Sequence, residues 1–257
     1  MNAHDREKYI VEYLTRYIYA DVAKLSDLLH VSEMTIRRDL DKLEKDNQLL
    51  RVRGGARFMH EAPLESRVFD QSDAKYAIGR YAASLVEEGE AIALDASTTV
   101  YAMLPYLKVP MTVITSNMNI AMFLGKNDFI DVFVLGGKLR KSSMSLTGYD
   151  VSDMMQKYHV DKAFLSAKSI NIQDGVMDAT VDEGEAKKAI LRSCNKAYFL
   201  FDHTKLDTRA FYHVCTIDCV TDIIVDQYKK FSKEQNAFLQ DCETNGVHVH
   251  LATEGTK

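Results

Sequence analysis

The chain has 257 residues, of which 46% are hydrophobic and 27% are charged, and its formal net charge is −5. This balance is typical of a globular protein with one or two domains, and it excludes a largely disordered chain. The 3 prolines and 12 glycines are too few for a collagen-like or linker-like chain. The sequence has no apolar stretch of 18 residues, and its first ten residues, MNAHDREKYI, carry charges of both signs. We therefore expect a cytoplasmic protein with neither a transmembrane helix nor a signal peptide.

The four cysteines, Cys194, Cys215, Cys219 and Cys242, all lie in the last quarter of the chain. In a protein without an export signal they are expected to be reduced thiols. A zinc site is the alternative, because His213 lies near Cys215 and Cys219. The surrounding segment is predicted to be a strand, in which four residues span about 13 Å and two thiols cannot share one zinc without a turn. We therefore predict that the chain holds no metal ion and needs no cofactor.

Charge is distributed unevenly along the chain. Residues 1–57 carry 11 basic and 10 acidic side chains, whereas the remainder carries 21 basic and 27 acidic side chains. Arg51, Arg53 and Arg57 lie in a stretch with no acidic residue. A basic cluster on a small N-terminal domain indicates a nucleic-acid contact confined to that end of the chain, and a solvated surface is the alternative interpretation.

Residues 1–57 show the pattern of a winged helix-turn-helix. Apolar residues at helical spacing predict three helices, over about 5–18, 21–30 and 33–46. Ser32 is a natural N-cap for the third helix, and the stretch LLRVRGGARF after it predicts two short extended pieces around Gly54-Gly55. A tight turn before the third helix and a β-ribbon after it are typical of a fold whose third helix enters the DNA major groove.

In such a fold the first residues of the third helix reach base edges, and the wing lies along the phosphates. The predicted DNA-binding residues are therefore Ser32, Glu33, Thr35, Arg37, Arg38, Arg51, Arg53, Gly54, Gly55 and Arg57. Two alternatives stay open. A helix-turn-helix can instead be a protein-binding module, and one of Arg37 and Arg38 can pair with Asp39 or Asp41 and position the helix rather than touch DNA.

The segment VSEMTIRRDLDKLEKDNQLLRVRGGA resembles the signature of the DeoR family of bacterial transcriptional regulators, in which a VS-x-x-TIRRDL recognition helix precedes a GGA wing. The matching residues are Val31, Ser32, Thr35, Ile36, Arg37, Arg38, Asp39, Leu40, Leu43, Gly54, Gly55 and Ala56. One departure is Asn47-Gln48, where the family commonly has a glycine after the third helix, although asparagine also adopts the left-handed cap conformation. The resemblance implies that this segment binds double-stranded operator DNA.

A connector over residues 58–75 separates this segment from a larger domain over residues 76–257, which opens with a helix over about 72–88. The predicted strands are Ala91–Leu94, Met111–Ile114, Asp131–Leu135, Lys162–Leu165, Ala197–Phe201, Val220–Val225 and Val247–Leu251. The other predicted helices lie near 98–107, 117–126, 145–157, 182–194 and 228–243. Short apolar strands separated by helices indicate a mainly parallel sheet covered on both faces. In the last strand His248 and His250 alternate with apolar residues, so we expect both to face solvent at a sheet edge.

Small polar residues follow the predicted strands at their carboxyl ends, where open parallel sheets bind ligands. Hydroxyls and free helix N–H groups hold phosphate, and carboxylates and amides hold sugar hydroxyls. The effector-binding residues predicted from these strand ends are Asp95, Ala96, Ser97, Thr98, Thr99, Ser116, Asn117, Gly136, Gly137, Lys138, Lys168, Asp202 and Lys205. Each motif alone has a structural alternative, namely a helix cap at 97–99, a tight turn at 136–137, a surface ion pair of Asp202 with Lys205, and a solvent-exposed Lys168.

The resemblance to the DeoR family continues through this domain. LDASTT resembles the family's LDxGTT phosphate loop, and FDHTKL resembles its D-x-S-K-F segment. A G-x-T…E-A…K segment, matched through Gly175, Glu185, Ala186 and Lys187 or Lys188, adds Glu185 to the predicted effector site. Family glycines are replaced at three places, by Ala96 or Ser97, by Ser166 and by Ser169. The resemblance implies a fold similar to ribose-5-phosphate isomerase and a phosphorylated sugar as the ligand.

The sequence thus predicts an N-terminal winged helix-turn-helix followed by a mainly parallel α/β domain that is similar to sugar-phosphate isomerases. We predict a DNA-binding transcriptional regulator without enzymatic activity, a repressor of a carbohydrate-utilisation operon that a phosphorylated sugar controls and that forms a homodimer or homotetramer. One alternative is an active sugar-phosphate isomerase with an appended DNA-binding domain, for which the candidate bases are Asp95, Asp182, Glu185 and Asp202. A second alternative is a protein-interaction adaptor that binds neither DNA nor ligand.

Overall fold

The computed structural model describes residues 3–17, 19–46, 48–52, 54–58, 72–227 and 231–253. The chain divides into two compact units, Met1–Asp70 and Gln71–Lys257. The predicted connector over residues 58–75 lies mostly outside the described residues. Its limits, and those of the predicted domains before and after it, stay predictions.

The first unit contains helices and a small antiparallel sheet. Its elements are α1 (Ala3–Tyr17), β1 (Tyr19–Asp21), α2 (Val22–Leu29), α3 (Glu33–Lys45), β2 (Leu49–Val52) and β3 (Gly55–Phe58). The strands pair in the order β1-β3-β2. The three predicted helices and the ribbon are confirmed. Strand β1 escapes sequence prediction, because three residues between two helices are too few to show a period of two.

One face of each helix packs into a shared apolar core. Ile10 and Leu14 of α1, Leu25 of α2, and Ile36 and Leu40 of α3 are fully buried. Burying a side chain of this size contributes about 1.5–3 kcal/mol. These are the positions that the helical spacing places on one face, so the apolar core of this unit is readable from the sequence.

Two ion pairs fix α1 against α3. Arg6 meets the Asp39 carboxylate with two of its nitrogens, and Nη2 donates to Oδ1 at 3.0 Å. Lys42 Nζ lies 2.7 Å from the Glu7 carboxylate. Both Arg6 and Asp39 are largely buried, so the pair holds α3 at a fixed distance from α1. Asp39 is therefore engaged by a neighbouring helix.

The turn between α2 and α3 depends on a left-handed residue. His30 has φ 51°, and its N–H and that of Val31 both donate to the Ser26 carbonyl, which ends α2. Ser32 then caps α3 with its side chain, as predicted. Helix α3 ends at Lys45, and Asn47, where the sequence departs from the family pattern, lies outside the described residues.

The second unit is built around a seven-stranded parallel sheet. Its helices are α4 (Ser72–Ala83), α5 (Thr98–Tyr101), α6 (Met118–Leu124), α7 (Tyr149–Met155), α8 (Val181–Arg192) and α9 (Lys233–Thr244). Its strands are β4 (Ala91–Leu94), β5 (Met111–Thr115), β6 (Ile130–Val134), β7 (Lys138–Arg140), β8 (Ser145–Thr147), β9 (Val160–Leu165), β10 (Ser169–Asn171), β11 (Gly175–Asp178), β12 (Cys194–Phe201), β13 (Tyr212–Cys215), β14 (Asp222–Asp226) and β15 (His248–Ala252). The sheet order is β15-β14-β12-β9-β4-β5-β6, with every neighbouring pair parallel. The predicted parallel sheet is therefore confirmed, and its seven strands are those predicted, with small shifts at their ends.

Four of the predicted helices differ from those observed. The helix predicted over 72–88 ends at Ala83, and the helix predicted over 228–243 begins only at Lys233. The helix predicted over 98–107 divides into α5 and a 3₁₀ turn at Leu104–Tyr106, where Pro105 has no N–H to continue the helix. The helix predicted over 145–157 begins only at Tyr149, because the residues before it form β8.

Two smaller antiparallel sheets were not predicted, namely the β7–β8 hairpin and the sheet β10-β11-β13. The continuous strand predicted around the cysteines is wrong. Strand β13 ends at Cys215, a 3₁₀ turn at Ile217–Cys219 follows, and β14 begins at Asp222. Within the described ranges no three or more His, Cys, Asp or Glu side chains lie together as a metal site would require. Burial raises the pKa of the Cys215 thiol to about 12, so it is not a reactive thiolate.

The strands of the large sheet alternate their side chains between two apolar cores, one on each face. In β12, Phe199 and Phe201 lie in one core, whereas Tyr198 and Leu200 lie in the other. A parallel sheet covered on both faces needs nearly continuous apolar strands, and this makes the strands visible in the sequence. No helix in the described ranges combines the length and the apolar character that crossing a bilayer requires.

The edge strand β15 differs from its prediction at one histidine. His248 is exposed, as expected. His250 is not, because its Nε2 lies 2.8 Å from Asp222 Oδ1 and its Nδ1 lies 3.0 Å from the Tyr81 hydroxyl. The prediction that both histidines face solvent is therefore wrong for His250, which the buried carboxylate at the start of the neighbouring strand draws inward.

Candidate functional site

The first turn of α3 presents polar side chains at an exposed surface. Ser32 Oγ accepts a hydrogen bond from the Thr35 N–H at 3.3 Å and lies 3.0 Å from Thr35 Oγ1. Arg37 Nη2 donates to the Glu33 carboxylate at 2.8 Å, and both side chains are about half exposed. The predicted base-contacting residues of this helix thus lie together. Four of them already hold one another in place.

Arg38 is an exposed cation of α3 whose side chain has no partner among the described residues. One of the two arginines does pair with an acid of its own helix, and that arginine is Arg37. The partner that was expected for it is wrong. Arg37 pairs with Glu33 rather than with Asp39 or Asp41, because side chains four residues apart share a helix face. Arg38 is therefore the better placed of the two arginines to meet a phosphate or a base.

Arg51 ties the wing to α3. Its Nη1 lies 3.6 Å from Asp41 Oδ1 and 3.5 Å from the Arg37 carbonyl oxygen. Its backbone N–H donates to Glu44 Oε1 at 2.7 Å. The side chain keeps 26% exposure, so Arg51 positions the wing while its guanidinium stays accessible.

The two wing glycines have different reasons for being glycine. Gly54 has φ +83°, which other residues rarely adopt. A Cβ on Gly55 would approach the Ala20 carbonyl oxygen to 2.2 Å, so β3 lies against β1 only because this side chain is absent. Arg53 and the side chain of Arg57 lie outside the described residues, and their contact with DNA stays a prediction.

In the second unit, the carboxyl ends of β4 and β9 meet at a buried carboxylate. Asp95 directly follows β4 and is 2% exposed. Its Oδ1 lies 3.2 Å from Lys187 Nζ, and its Oδ2 accepts a hydrogen bond from the Ser166 N–H at 3.1 Å. Burial raises the pKa of Asp95, and the ammonium of Lys187 opposes that shift.

Lys187 of α8 is the centre of this network. Its side chain is 3% exposed, and Nζ lies 2.9 Å from Asp178 Oδ2 and 4.0 Å from Glu183 Oε2. Burial alone would lower the pKa of this ammonium, but the surrounding carboxylates, Asp178 first, raise it above its ordinary value. Sequence reasoning offered Lys187 only as an alternative to Lys188 for the motif lysine and did not place it in the site. Asp178 and Glu183 were missed, although the spacing of Glu183 and Lys187 by four residues signals a shared helix face.

Glu183 is itself surrounded by donors from the β7–β8 hairpin. Its Oε1 lies 3.1 Å from Arg140 Nη1, 3.1 Å from Ser143 Oγ and 3.0 Å from Ser145 Oγ. Ser143 and Ser145 are at most 1% exposed, and their hydroxyls lie 2.6 Å apart. The hairpin is therefore fixed to the start of α8 through this carboxylate and through the Thr180 hydroxyl, which lies 3.3 Å from Arg140 Nη1.

A second group of charges follows β12. Lys205 Nζ donates to Ser166 Oγ at 2.9 Å and lies 3.8 Å from Asp202 Oδ2. Asp202 also accepts hydrogen bonds from the N–H and the hydroxyl of Thr204. Burial favours the neutral acid, but Lys205 and Thr204 together hold the pKa of Asp202 below its ordinary value. Ser166 thus joins this group, through its hydroxyl, to Asp95, through its N–H.

Two of the predicted ligand residues act as helix caps. Ser97 Oγ accepts from the Val100 N–H at 3.0 Å, and Asn117 Oδ1 accepts from the first turn of α6. The Asn117 amide donates to the Ser143 carbonyl, so none of its polar atoms is left over. Ala96, Thr98, Thr99 and Ser116 are buried at the same strand ends. The hydroxyls of Thr99 and Ser169 are buried without a hydrogen-bond partner among the described residues.

The remaining predicted site residues take different places. Gly136 donates its N–H to Met154 Sδ, and a Cβ on Gly137 would approach the Thr147 carbonyl oxygen to 2.7 Å, so this glycine pair serves the turn into the hairpin. Lys138 and Lys168 are exposed, as the structural alternative for Lys168 expected.

The prediction that Glu185 belongs with the strand-end residues is not supported by its contacts. Glu185 accepts hydrogen bonds from the Tyr212 hydroxyl at 2.6 Å and from Lys188 Nζ at 3.0 Å. It lies two residues after Glu183, which places it about 200° around the helix and on another face. The glutamate that joins the Lys187 network is Glu183.

Comparison with known proteins identifies both units. Residues 6–62 match the family model of the DeoR-like helix-turn-helix domain, and residues 70–227 match that of the DeoR C terminal sensor domain. These two units define a class of protein, a regulator that binds DNA with one unit and senses an effector with the other. The chain belongs to the DeoR family of transcriptional regulators.

Several curated relatives align over most of the chain. The HTH-type transcriptional repressor GlcR of Bacillus subtilis is 34% identical, covering 99% of this chain and 98% of that protein. The HTH-type transcriptional regulator GolR of Listeria innocua is 32% identical, covering 88% and 94%. The lactose phosphotransferase system repressor of Staphylococcus aureus is 29% identical, covering 88% and 93%. These relatives are regulators, and the chain is accordingly a regulator and not an enzyme.

Among solved structures, ribose 5-phosphate isomerase A of Methanocaldococcus jannaschii matches at 18% identity and a TM-score of 0.40, covering 53% of this chain and 55% of that one.

Proposed function

We propose that the protein represses a carbohydrate-utilisation operon and that a phosphorylated sugar, bound at the strand ends of the second unit, changes its affinity for operator DNA. The observation that carries the proposal is the network of lysines, hydroxyls and carboxylates at those strand ends, in a chain whose other unit is a helix-turn-helix. Such a network suits a ligand that is both anionic and rich in hydroxyls.

The DNA contact is proposed for α3 and the wing. Arg38 is exposed and unpaired among the described residues, while the Glu33–Arg37 pair and Arg51 keep the polar face of α3 in one conformation. A helix preorganised in this way loses little side-chain entropy when it enters a major groove. Salt dependence of the affinity would follow from the phosphate contacts.

The effector contact is proposed for the residues around Asp95, Ser166 and Lys205. Lys205 supplies a positive charge beside two hydroxyl-bearing strand ends, and its bond to Ser166 keeps it there. The partnerless hydroxyls of Thr99 and Ser169 belong to the segments after the adjacent strands β4 and β9, and a polar ligand would satisfy them.

The carboxylates at the carboxyl ends of the strands support sensing rather than proton transfer. An isomerase needs a carboxylate poised to take a proton from carbon. Asp95 is held by Lys187 and the Ser166 N–H, and Asp202 is held by Thr204 and Lys205. Two of the candidate bases are thus committed to fixed partners.

A homodimer or homotetramer is part of the proposal, because operators read by helix-turn-helix proteins carry paired half-sites about one helical turn apart. The repressor role draws on GlcR and the lactose phosphotransferase system repressor, both of which carry that name.

The experiment is capture of sheared DNA from the source genome by the purified protein, followed by sequencing. We expect one or a few enriched sites with repeated half-sites, next to genes for sugar uptake or breakdown. A folded protein that enriches no site at moderate salt, with and without a mixture of sugar phosphates, would contradict the proposal.

A further inference from the structure

The donors around Glu183 have the composition of an anion-binding site. A guanidinium and two hydroxyls, from Arg140, Ser143 and Ser145, all lie within 3.1 Å of the single oxygen Oε1. The ammonium of Lys187 lies 4.0 Å from Oε2. A guanidinium with neighbouring hydroxyl donors is a common protein arrangement for phosphate.

The anion that occupies this site belongs to the protein itself. Oε1 has three potential donor atoms within 3.1 Å, two of which, the serine hydroxyls, also share a hydrogen bond at 2.6 Å, whereas Oε2 has Lys187 at 4.0 Å as its neighbour. A phosphate group offers three acceptor oxygens and would distribute the same donors more evenly. The donors are therefore more numerous on one side than a carboxylate needs.

Burial of the donors favours the exchange of the Glu183 carboxylate for another anion. Glu183 is 6% exposed, and the two serines are at most 1% exposed, so the donors have already lost their water. A ligand that replaces Glu183 meets a preorganised and dehydrated donor set and does not have to order it. Glu183 lies in the first turn of α8, three residues after the N-cap Thr180.

We propose that Glu183 is a built-in competitor of the effector, and that the phosphate of the bound sugar displaces its carboxylate from Arg140, Ser143 and Ser145. This inference rests on the proposed function, because it assumes that the second unit binds a phosphorylated ligand. It adds four residues that the sequence did not suggest to the ligand site, and it assigns the β7–β8 hairpin to the phosphate.

The exchange also has a mechanical consequence. Glu183 contacts Arg140, Ser143 and Ser145, and Arg140 Nη1 also lies 3.3 Å from Thr180 Oγ1, so displacement of Glu183 transfers most of these side-chain contacts of the hairpin from α8 to the ligand. Only a contact that differs between the free and bound states is able to shift a conformational equilibrium, and this contact differs. The strength of the competitor thereby sets the effector concentration at which the protein responds.

The test measures binding of inorganic phosphate to the full-length protein by calorimetry. Removing the competitor, in Glu183→Ala, should tighten phosphate binding about tenfold or more relative to the wild type. Glu185→Ala is the matched control, because Glu185 lies on the same helix and binds Lys188 and Tyr212 instead. It should bind phosphate as the wild type does.

A further variant locates the bound phosphate. In the background of Glu183→Ala, replacing Ser143 and Ser145 by alanine should abolish the gain. Equal phosphate affinity in the wild type, Glu183→Ala and Glu185→Ala would overturn the inference, and so would a gain that survives the two serine replacements.

Folding is controlled with an isosteric variant and with the wild type. If Glu183→Ala does not fold, Glu183→Gln replaces it, because the amide keeps the shape of the carboxylate without its charge. Phosphate binding should again be tighter than in the wild type, by a smaller factor than in Glu183→Ala. Hydrogen exchange of the wild type over residues 138–147 is the second measurement, and saturating phosphate should change the exchange rates of the hairpin. Unchanged rates in that segment, with phosphate bound, would contradict the exchange.

These results separate the inference from the proposed function, since phosphate binding is measured without DNA. If operator binding responds to a sugar phosphate but Glu183→Ala does not bind phosphate more tightly than the wild type, only the inference is wrong. If Glu183→Ala binds phosphate more tightly but operator binding responds to no sugar phosphate, the phosphate site stands and the proposed effector role is wrong.

Discussion

Lys187 Nζ lies 3.2 Å from the Asp95 carboxylate, and both side chains are only 3% exposed. The contact joins the middle of α8 to the carboxyl end of β4, which lies near the centre of the sheet. Asp178 and Glu183 complete the surroundings of the ammonium, so one buried cation serves three carboxylates. The structure of the proposed ligand site therefore depends on Lys187.

Replacing Lys187 by methionine should destabilise the protein by about 3–5 kcal/mol, because it leaves buried carboxylates without their cation. Urea unfolding monitored by circular dichroism measures the change. Lys188→Met is the control on the same helix, and its partly exposed partners predict a loss within about 1 kcal/mol. Equal losses in the two variants would show that the network does not support the fold.

Asp202 should contribute a pH-dependent part of the stability. Its pKa in the folded protein lies below the unfolded value of about 3.9, because Lys205 and Thr204 outweigh the effect of burial. The contribution is therefore present above about pH 4 and is lost as the pH falls through the folded pKa. The difference in unfolding free energy between the wild type and Asp202→Asn should stay constant from about pH 7 to 5 and shrink in more acidic solution. A difference in unfolding free energy that grows as the pH falls would contradict the favourable interaction of Asp202 with Lys205 and Thr204.

The two arginines of α3 should differ in their effect on DNA binding. Arg38→Ala removes an exposed cation with no partner among the described residues, so it should weaken operator binding and reduce the slope of log affinity against log salt by about 1. Its stability should stay within about 0.5 kcal/mol of the wild type. Arg37→Ala also breaks the pair with Glu33, and its effect on the salt slope should be smaller. The reverse order of the two variants would assign the phosphate contact to Arg37.

Lys205→Met should weaken the binding of phosphorylated sugars about tenfold or more, because it removes the cation beside Ser166. Operator affinity without ligand should be unchanged, since Lys205 lies in the second unit. Lys108→Met is the matched control, because Lys108 is an exposed lysine just before the amino end of β5, away from the carboxyl ends of the strands. Calorimetry with a panel of sugar phosphates and a DNA mobility-shift assay provide the two readouts. Loss of DNA binding in Lys205→Met without any ligand would contradict the assignment.

The fold was predictable from the sequence because its main elements are the ones that leave a pattern. The seven strands of the large sheet are buried on both faces and appear as short apolar runs, as Phe199 to Phe201 illustrates. The helices of the first unit each have one apolar face, and Ser32 marks the start of α3. The three-residue strands β7, β8 and β10 leave no such pattern, because their partners are set by tertiary contacts.

The candidate site was only partly predictable, for a physical reason. Residues that directly follow strands, such as Asp95 and Asp202, are placed by the sheet itself at its rim, which is the edge formed by the carboxyl ends of the strands. Glu183 and Lys187 reach the same rim from a helix, and in the sequence they look like an ordinary pair of surface charges four residues apart. Their burial depends on Asp178, which is the last residue of the unpredicted strand β11. The position of Arg140 likewise depends on a hairpin that no period reveals.

The most direct test of the account is the affinity of the protein for its captured operator, measured by fluorescence anisotropy with and without each member of a panel of sugar phosphates and the matching free sugars. The account predicts that one or a few sugar phosphates change the operator affinity about tenfold or more, while the unphosphorylated sugars do not. Operator affinity that is unchanged by every sugar phosphate, in a protein that binds the operator specifically, would contradict it.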